Sequence, residues 1–158
     1  MIDDTTPPVI SQYTPPTLAL NNISEAINYN LIYELDIPNQ ADWDIQSQVP
    51  YQINNAATAS GEPIDRIAYF MQLDNEYVWV SFDANTQDYN QIAIPVDYTR
   101  QEVVQNMNVF GSSGSNVTQG TNIQTGNIEF WSFDYSFAAG LGGIPQGNNG
   151  LYDFNDVI

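Results

Sequence analysis

The chain has 158 residues, 42% of them apolar, including ten Tyr, seven Phe and three Trp. That is enough for one domain with a real core and too apolar for disorder. Nineteen Asp and Glu face only Arg66 and Arg100, and Lys, His and Cys are absent, so the formal net charge is −17. This census excludes a disulfide scaffold, a thiolate zinc cluster, a Ser-His-Asp triad, a Schiff base and a phosphate-gripping lysine. It also repels nucleic acid and anionic membrane surfaces.

The acidic count is ordinary for this length; what is missing is the basic half of the usual charged complement. Carboxylates without basic partners must be solvated, be protonated or be held by a metal. Oxygen ligands with neither nitrogen nor sulfur suit a hard cation, above all Ca²⁺. A marine or halophilic source, with an acidic surface kept for solubility, is the plainer account of the same charge. Met1 is followed by Ile2-Asp3-Asp4-Thr5-Thr6-Pro7-Pro8, which has neither the basic nor the apolar region of a signal peptide. No apolar run approaches the ~18 residues of a membrane span. Direct membrane insertion is therefore not expected, and an export signal would lie outside this chain or be of another kind.

In chain order, residues 1–20 carry Pro7-Pro8 and Pro15-Pro16 and read as a linker or edge segment, which implies one domain of a larger chain, here 21–158. Tyr29, Leu31, Tyr33, Leu35 and Ile37 alternate along an expected strand ended by Pro38. A loop rich in Asn, Gln and Asp follows, and Val49–Ile53 fits a short strand. The clearest hairpin pairs Ile64–Leu73 with Tyr77–Asp83 across the turn residues Asp74-Asn75-Glu76. Ile92, Ile94 and Val96 suggest another strand, Val103–Phe110 one more, residues 111–122 a loop, and Asn127–Trp131 the last clear strand. One or two helical turns are expected near Ser24–Asn28 or Thr99–Gln105. Seven or more short strands separated by turn signals predict an all-β fold, an antiparallel β-sandwich of lectin-like or jelly-roll type.

Several dispersed motifs carry a family resemblance over roughly residues 28–156. They are Thr125-Gly126-Asn127-Ile128-Glu129-Phe130-Trp131, Asp134-Tyr135, Tyr152-Asp153-Phe154, Asp65-Arg66-Ile67-Ala68-Tyr69-Phe70 and Val78-Trp79-Val80-Ser81-Phe82-Asp83-Ala84. Together they resemble a β-sandwich module of large secreted bacterial proteins, some of them called sialate O-acetylesterases, in which the module is not the catalytic part. They are also similar to lectin-like domains in the ligand-binding regions of repeats-in-toxin adhesins of marine bacteria. The resemblance implies an extracellular or cell-surface domain, monomeric by itself, that holds a glycan or a peptide end with the help of Ca²⁺. The chain departs from the pattern at Asp134-Tyr135, where Asn-Tyr is common.

Residue roles follow from chemistry and spacing rather than from the resemblance. Asn127 and Glu129, two apart in a strand, share a face beside Trp131, which suits a cation with an aromatic platform. Asp153 and Asp156 lie in or after the Gly147-Asn148-Asn149-Gly150 loop, whose flexibility suits a cation that takes six to eight oxygens. The expected metal ligands are thus Asn127, Glu129, Asp153 and Asp156, with Asp83 and Asp134 as outer candidates; Trp131, Tyr135 and Tyr152 are the expected ligand contacts.

Asp83-Ala84-Asn85-Thr86-Gln87-Asp88 begins like an EF-hand loop, but Asp88 and Ile94 stand where Gly and Glu belong. Asp42 and Asp44, flanking Trp43, are rim residues at most, and the arginines are expected to pair with Asp or Glu. Among enzymatic mechanisms only a two-carboxylate one survives, for instance Glu129 with Asp83 or Asp153 as a glycosidase pair. The leading expectation is a non-catalytic, calcium-dependent adhesion domain. The alternatives are a carbohydrate-binding accessory module of a secreted hydrolase and a calcium-stiffened spacer.

Overall fold

The computed structural model describes residues 18–36, 43, 45–85, 88–96, 99–112, 119–131, 136–141 and 150–154. The fold is all-β and antiparallel. Its strands are β1 (Tyr33–Glu34), β2 (Ile53–Asn54), β3 (Arg66–Leu73), β4 (Glu76–Asp83), β5 (Thr99–Gly111), β6 (Gly120–Trp131), β7 (Ser136–Leu141) and β8 (Gly150–Phe154). β1 and β2 form a two-stranded sheet, and β3 to β8 form a six-stranded sheet in sequence order. That order is an up-and-down meander; the Greek-key crossings of a jelly roll are not found among the described strands. The expected linker falls largely outside the described residues, and no described helix is long and apolar enough to cross a membrane.

Alternation builds the central hairpin. Val78, Val80 and Phe82 of β4 are fully buried on one face of the sheet, beside Ile67 of β3. The turn is tighter than the sequence suggested. Leu73 pairs with Glu76, so only Asp74 and Asn75 are left in the loop, and Asp74 takes the left-handed conformation (φ 52°) that aspartate tolerates better than most residues. The core continues through Val104, Met107 and Val109 of β5 to Ile128 and Phe130 of β6 and Ala139 of β7.

Val104 and Met107 are both buried although three apart, because Asn106 between them has φ 52° and switches the side that the strand presents. On β6, two steps of β5 (Met107 to Val109) are matched by three (Gly120 to Ile123), and Asn122 absorbs the extra residue with φ 53°. The second layer of this sandwich-like fold is thinner. It consists of β1–β2 with irregular chain that contributes Val49, Ile64, Ile94 and Val96, packed by Leu35, Trp43, Tyr51 and Tyr89.

Three local expectations are corrected. The strand expected from Tyr29 through Ile37 shrinks to Tyr33–Glu34, preceded by the 3-10 turn Ser24–Asn28. Tyr29 is drawn out of a sheet by its hydroxyl, which donates to Glu25 and accepts from Arg66. Ile92–Val96 is no strand; it follows the 3-10 turn Tyr89–Ile92, and Pro95 has no N–H to give a ladder. The segment is buried continuously from Ala93 to Val96, Pro95 included, so its apolar alternation does not mark one buried face of a strand. Thr99–Gln105, a candidate helical turn, is the first half of β5. β7 and β8 were not legible, since Phe137-Ala138-Ala139-Gly140 has weak strand propensity and is held by β6 and β8 on its two sides.

Candidate functional site

β6 carries the centre of the expected site into the interior of the sheet. Asn127 is fully buried and Glu129 is 3% exposed, where the sequence suggested an open face. Asn127 Nδ2 donates to the Leu141 carbonyl at 3.3 Å, and the Glu129 carboxylate accepts from Gln101 Nε2. The antiparallel register sets Gln101, Glu129, Ala138 and Asp153 in one row across β5, β6, β7 and β8, with Asn127 opposite Gly140 two positions along, in the next row of the same face. At about 4.8 Å between strands, the Glu129 and Asp153 backbones lie roughly 10 Å apart across Ala138.

The other expected ligands are scattered. Tyr152 occupies the row of Ala139 and the fully buried Ile128, one step out of register with Glu129 and Asp153. Trp131 closes β6 opposite Ser136. Asp83 ends β4 in a separate cluster, where its Oδ1 lies 2.7 Å from Arg66 Nη1 and its Oδ2 accepts from Asn106 Nδ2 at 2.5 Å. Asp134, Tyr135 and Asp156 lie outside the described residues, as do Asp42 and Asp44; Trp43 packs against the core. Among the described residues no three acidic side chains come together closely enough to hold a metal.

Both arginines pair with carboxylates. Arg100, 7% exposed, lies 2.6 Å from Glu102 and donates to the Tyr69 hydroxyl and the Gln91 carbonyl. Arg66 pairs with Asp83 and stands 3.9 Å from Glu25. Partial burial disfavours the Arg66 charge, but the Tyr29 hydrogen bond and the charges of Glu25 and Asp83 outweigh it and hold its pKa above the ordinary value. With both cations so placed, the Glu129 carboxylate has no arginine within ion-pair distance.

One cluster escaped sequence reasoning. On the sheet face opposite the core, Glu25 from the 3-10 turn Ser24–Asn28 collects four donors. Its Oε1 accepts from Ser81 Oγ at 2.7 Å, Tyr29 OH at 3.1 Å and Asn108 Nδ2 at 3.3 Å, and its Oε2 accepts from Trp79 Nε1 at 3.1 Å. The Tyr29 ring meets Trp79 edge-on with centroids 5.0 Å apart. Three of the four donor residues lie more than fifty positions away in sequence, so no local pattern announces them. Beside this cluster, a cavity of about 110 Å³ opens between Asn22–Ser24 and Tyr77, Phe110 and Gln119, and no carboxylate lines it.

No family model, curated protein or solved structure matches the chain.

Proposed function

We propose that this chain is a non-catalytic, calcium-dependent ligand-binding domain of the adhesion type, working outside a bacterial cell or on its surface and recognising a glycan or a peptide end. The observation that carries the reading is Glu129. It is a carboxylate with 3% exposure whose one hydrogen-bond donor among the described residues is a neutral amide, in a protein whose two arginines pair with other carboxylates. Burying a carboxylate against a single neutral donor is costly unless a cation joins it.

The donor set fits calcium. Glu129, Asn127 and Asp153 offer only oxygen ligands from neighbouring rows of β6 and β8, and Ca²⁺ accepts such hard ligands at 2.3–2.6 Å. Those residues would hold the ion, and it would supply a positive centre for a ligand carboxylate or a sugar diol on a protein of net charge −17. Asp83 is left out of the set, because a metal there would have to displace both Arg66 and Asn106. Trp131 and Tyr135 remain the proposed contact residues, since aromatic faces bury much area at little entropic cost; Tyr152, also expected from the sequence, is left out because its register row alternates with that of Glu129 and Asp153.

Melting in Ca²⁺ and in EDTA, followed by glycan-array and free-ended peptide screens, tests the reading. Calcium stabilisation together with calcium-dependent capture is expected. Stabilisation without any ligand would make the domain a spacer, and polysaccharide binding indifferent to chelator would make it an accessory module of a hydrolase.

A further inference from the structure

The cluster round Glu25 has the construction of a ligand site. A carboxylate is held by an indole N–H, a hydroxyl, a carboxamide and a phenol, with a guanidinium 3.9 Å away. Trp79 is 4% exposed and Ser81 fully buried, so two of the donors are fixed in the sheet and shielded from water. Such preorganised donors bind a carboxylate more strongly than exposed ones. The group they hold does not belong to the sheet. It arrives on the segment from Leu18 to Tyr29, which precedes every strand.

Among the described contacts, that segment has little apolar anchoring beyond Ile23 and the Tyr29–Trp79 ring contact. Neither of its 3-10 turns has a buried residue or a side-chain cap, and Ile23, between the turns, is its one buried apolar residue. Ile27 is 87% exposed. Its turn-forming backbone hydrogen bonds are local, from Ile23 to Leu20, Ala26 to Ile23 and Tyr29 to Ala26. The described bonds that tie it to the sheet are polar: Ala19 N to Gln72 Oε1 at 2.8 Å, Arg66 Nε to Tyr29 OH at 3.0 Å, and the Glu25 contacts. Segments with few buried contacts and local hydrogen bonding open at a small fraction of the global unfolding free energy.

We propose that Trp79, Ser81, Asn108 and Arg66 form a carboxylate-binding site that the chain fills with its own Glu25, and that residues 18–29 act as a displaceable strap over it. Opening of the strap would present the site to the carboxylate of another molecule. The strap therefore sets the affinity of the open site, because an outside carboxylate must compete with a tethered one. This site lies at the β3–β5 end of the sheet and is independent of the calcium reading at β6 to β8.

The test removes the tethered carboxylate and supplies a free one. In Glu25→Ala, sodium acetate titrated against sodium chloride at matched ionic strength should shift the Trp79 indole N–H resonance saturably and raise Tm by a few degrees. The native chain should show neither effect at the same concentrations, and adding Ser81→Ala to Glu25→Ala should weaken the acetate response several-fold. An acetate effect absent from Glu25→Ala, or unchanged by Ser81→Ala, overturns the proposal. Hydrogen exchange in the native protein gives a second reading that needs no variant. The Trp79 indole N–H should exchange at least tenfold faster than the β4 backbone amides of Val78 and Val80. Exchange of all three only through global unfolding would make the strap a permanent part of the fold and end the idea.

Discussion

Replacing Glu129 by Gln should change the sign of its effect with calcium. The side chain is 3% exposed and bonded to the Gln101 amide, and an amide oxygen at the same place can keep that bond. On the proposed reading, the native protein without metal buries a carboxylate against one neutral donor, which costs about 1–3 kcal/mol or more. In EDTA the variant should therefore be the more stable protein by about 1–3 kcal/mol. Extracellular calcium modules bind near 10⁻⁴ M, so about 10 mM Ca²⁺ reaches roughly a hundred times Kd and should stabilise the native chain by about 2.7 kcal/mol. For a domain of this size that is about 5–10 °C in Tm. If Glu129 is a ligand as proposed, the variant loses a fully charged one and should gain less than half as much. Thermal and urea unfolding of both proteins, each in EDTA and in Ca²⁺, measure the four values, and the stability order should reverse between the two conditions. Equal calcium responses in the two proteins would refute the assignment of Glu129 as a ligand. A variant less stable than the native chain in EDTA would refute the claim that its charge lies uncompensated.

Three further outcomes follow from the geometry. Gly126→Ala should cost about 1–3 kcal/mol in urea unfolding, because its methyl would overlap Met107 Cε and sit 3.1 Å from the Gly140 carbonyl oxygen; adding Met107→Val should recover part of the loss. Glu102→Gln should cost about 1–3 kcal/mol, since it removes the negative charge that faces the buried Arg100 guanidinium at 2.6 Å; the 3–5 kcal/mol of a fully buried pair is not reached because Glu102 stays 23% exposed. Burial, and then the charge of Asp88, raise the Tyr33 pKa above its ordinary 10.0. The unfolded chain then ionises Tyr33 first, so the stability contributed by its neutral form is complete below pH 10.0 and is lost as pH rises through the folded-state value. Tyr33→Phe should flatten the alkaline limb of a pH–stability profile, and an unchanged limb would assign that loss to other groups.

What the sequence determined by itself was the class of fold and the class of chemistry. Period-two alternation in Ile67–Leu73 and Tyr77–Asp83, with the turn residues Asp74-Asn75-Glu76 between them, suffices for a hairpin, because strand pairing over a short turn is a local matter; that the turn closes on Asp74-Asn75 alone was left to the structure. Composition alone removed imidazole, thiol and amine chemistry and left oxygen ligands. The tertiary structure decided which residues meet. Ile92–Val96 carries the same alternation as a strand but is buried continuously from Ala93 to Val96 without pairing, Pro95 having no N–H for a ladder. Ser136–Leu141 has little strand propensity and is nonetheless a strand, held by two neighbours. The spacing of Asn127 and Glu129 was legible, but their burial was not, because alternation along a strand says which residues share a face and not whether that face is covered. For the same reason Glu25 passed unnoticed: its partners Trp79, Ser81 and Asn108 become neighbours only when a turn near the N-terminus folds back over the meander.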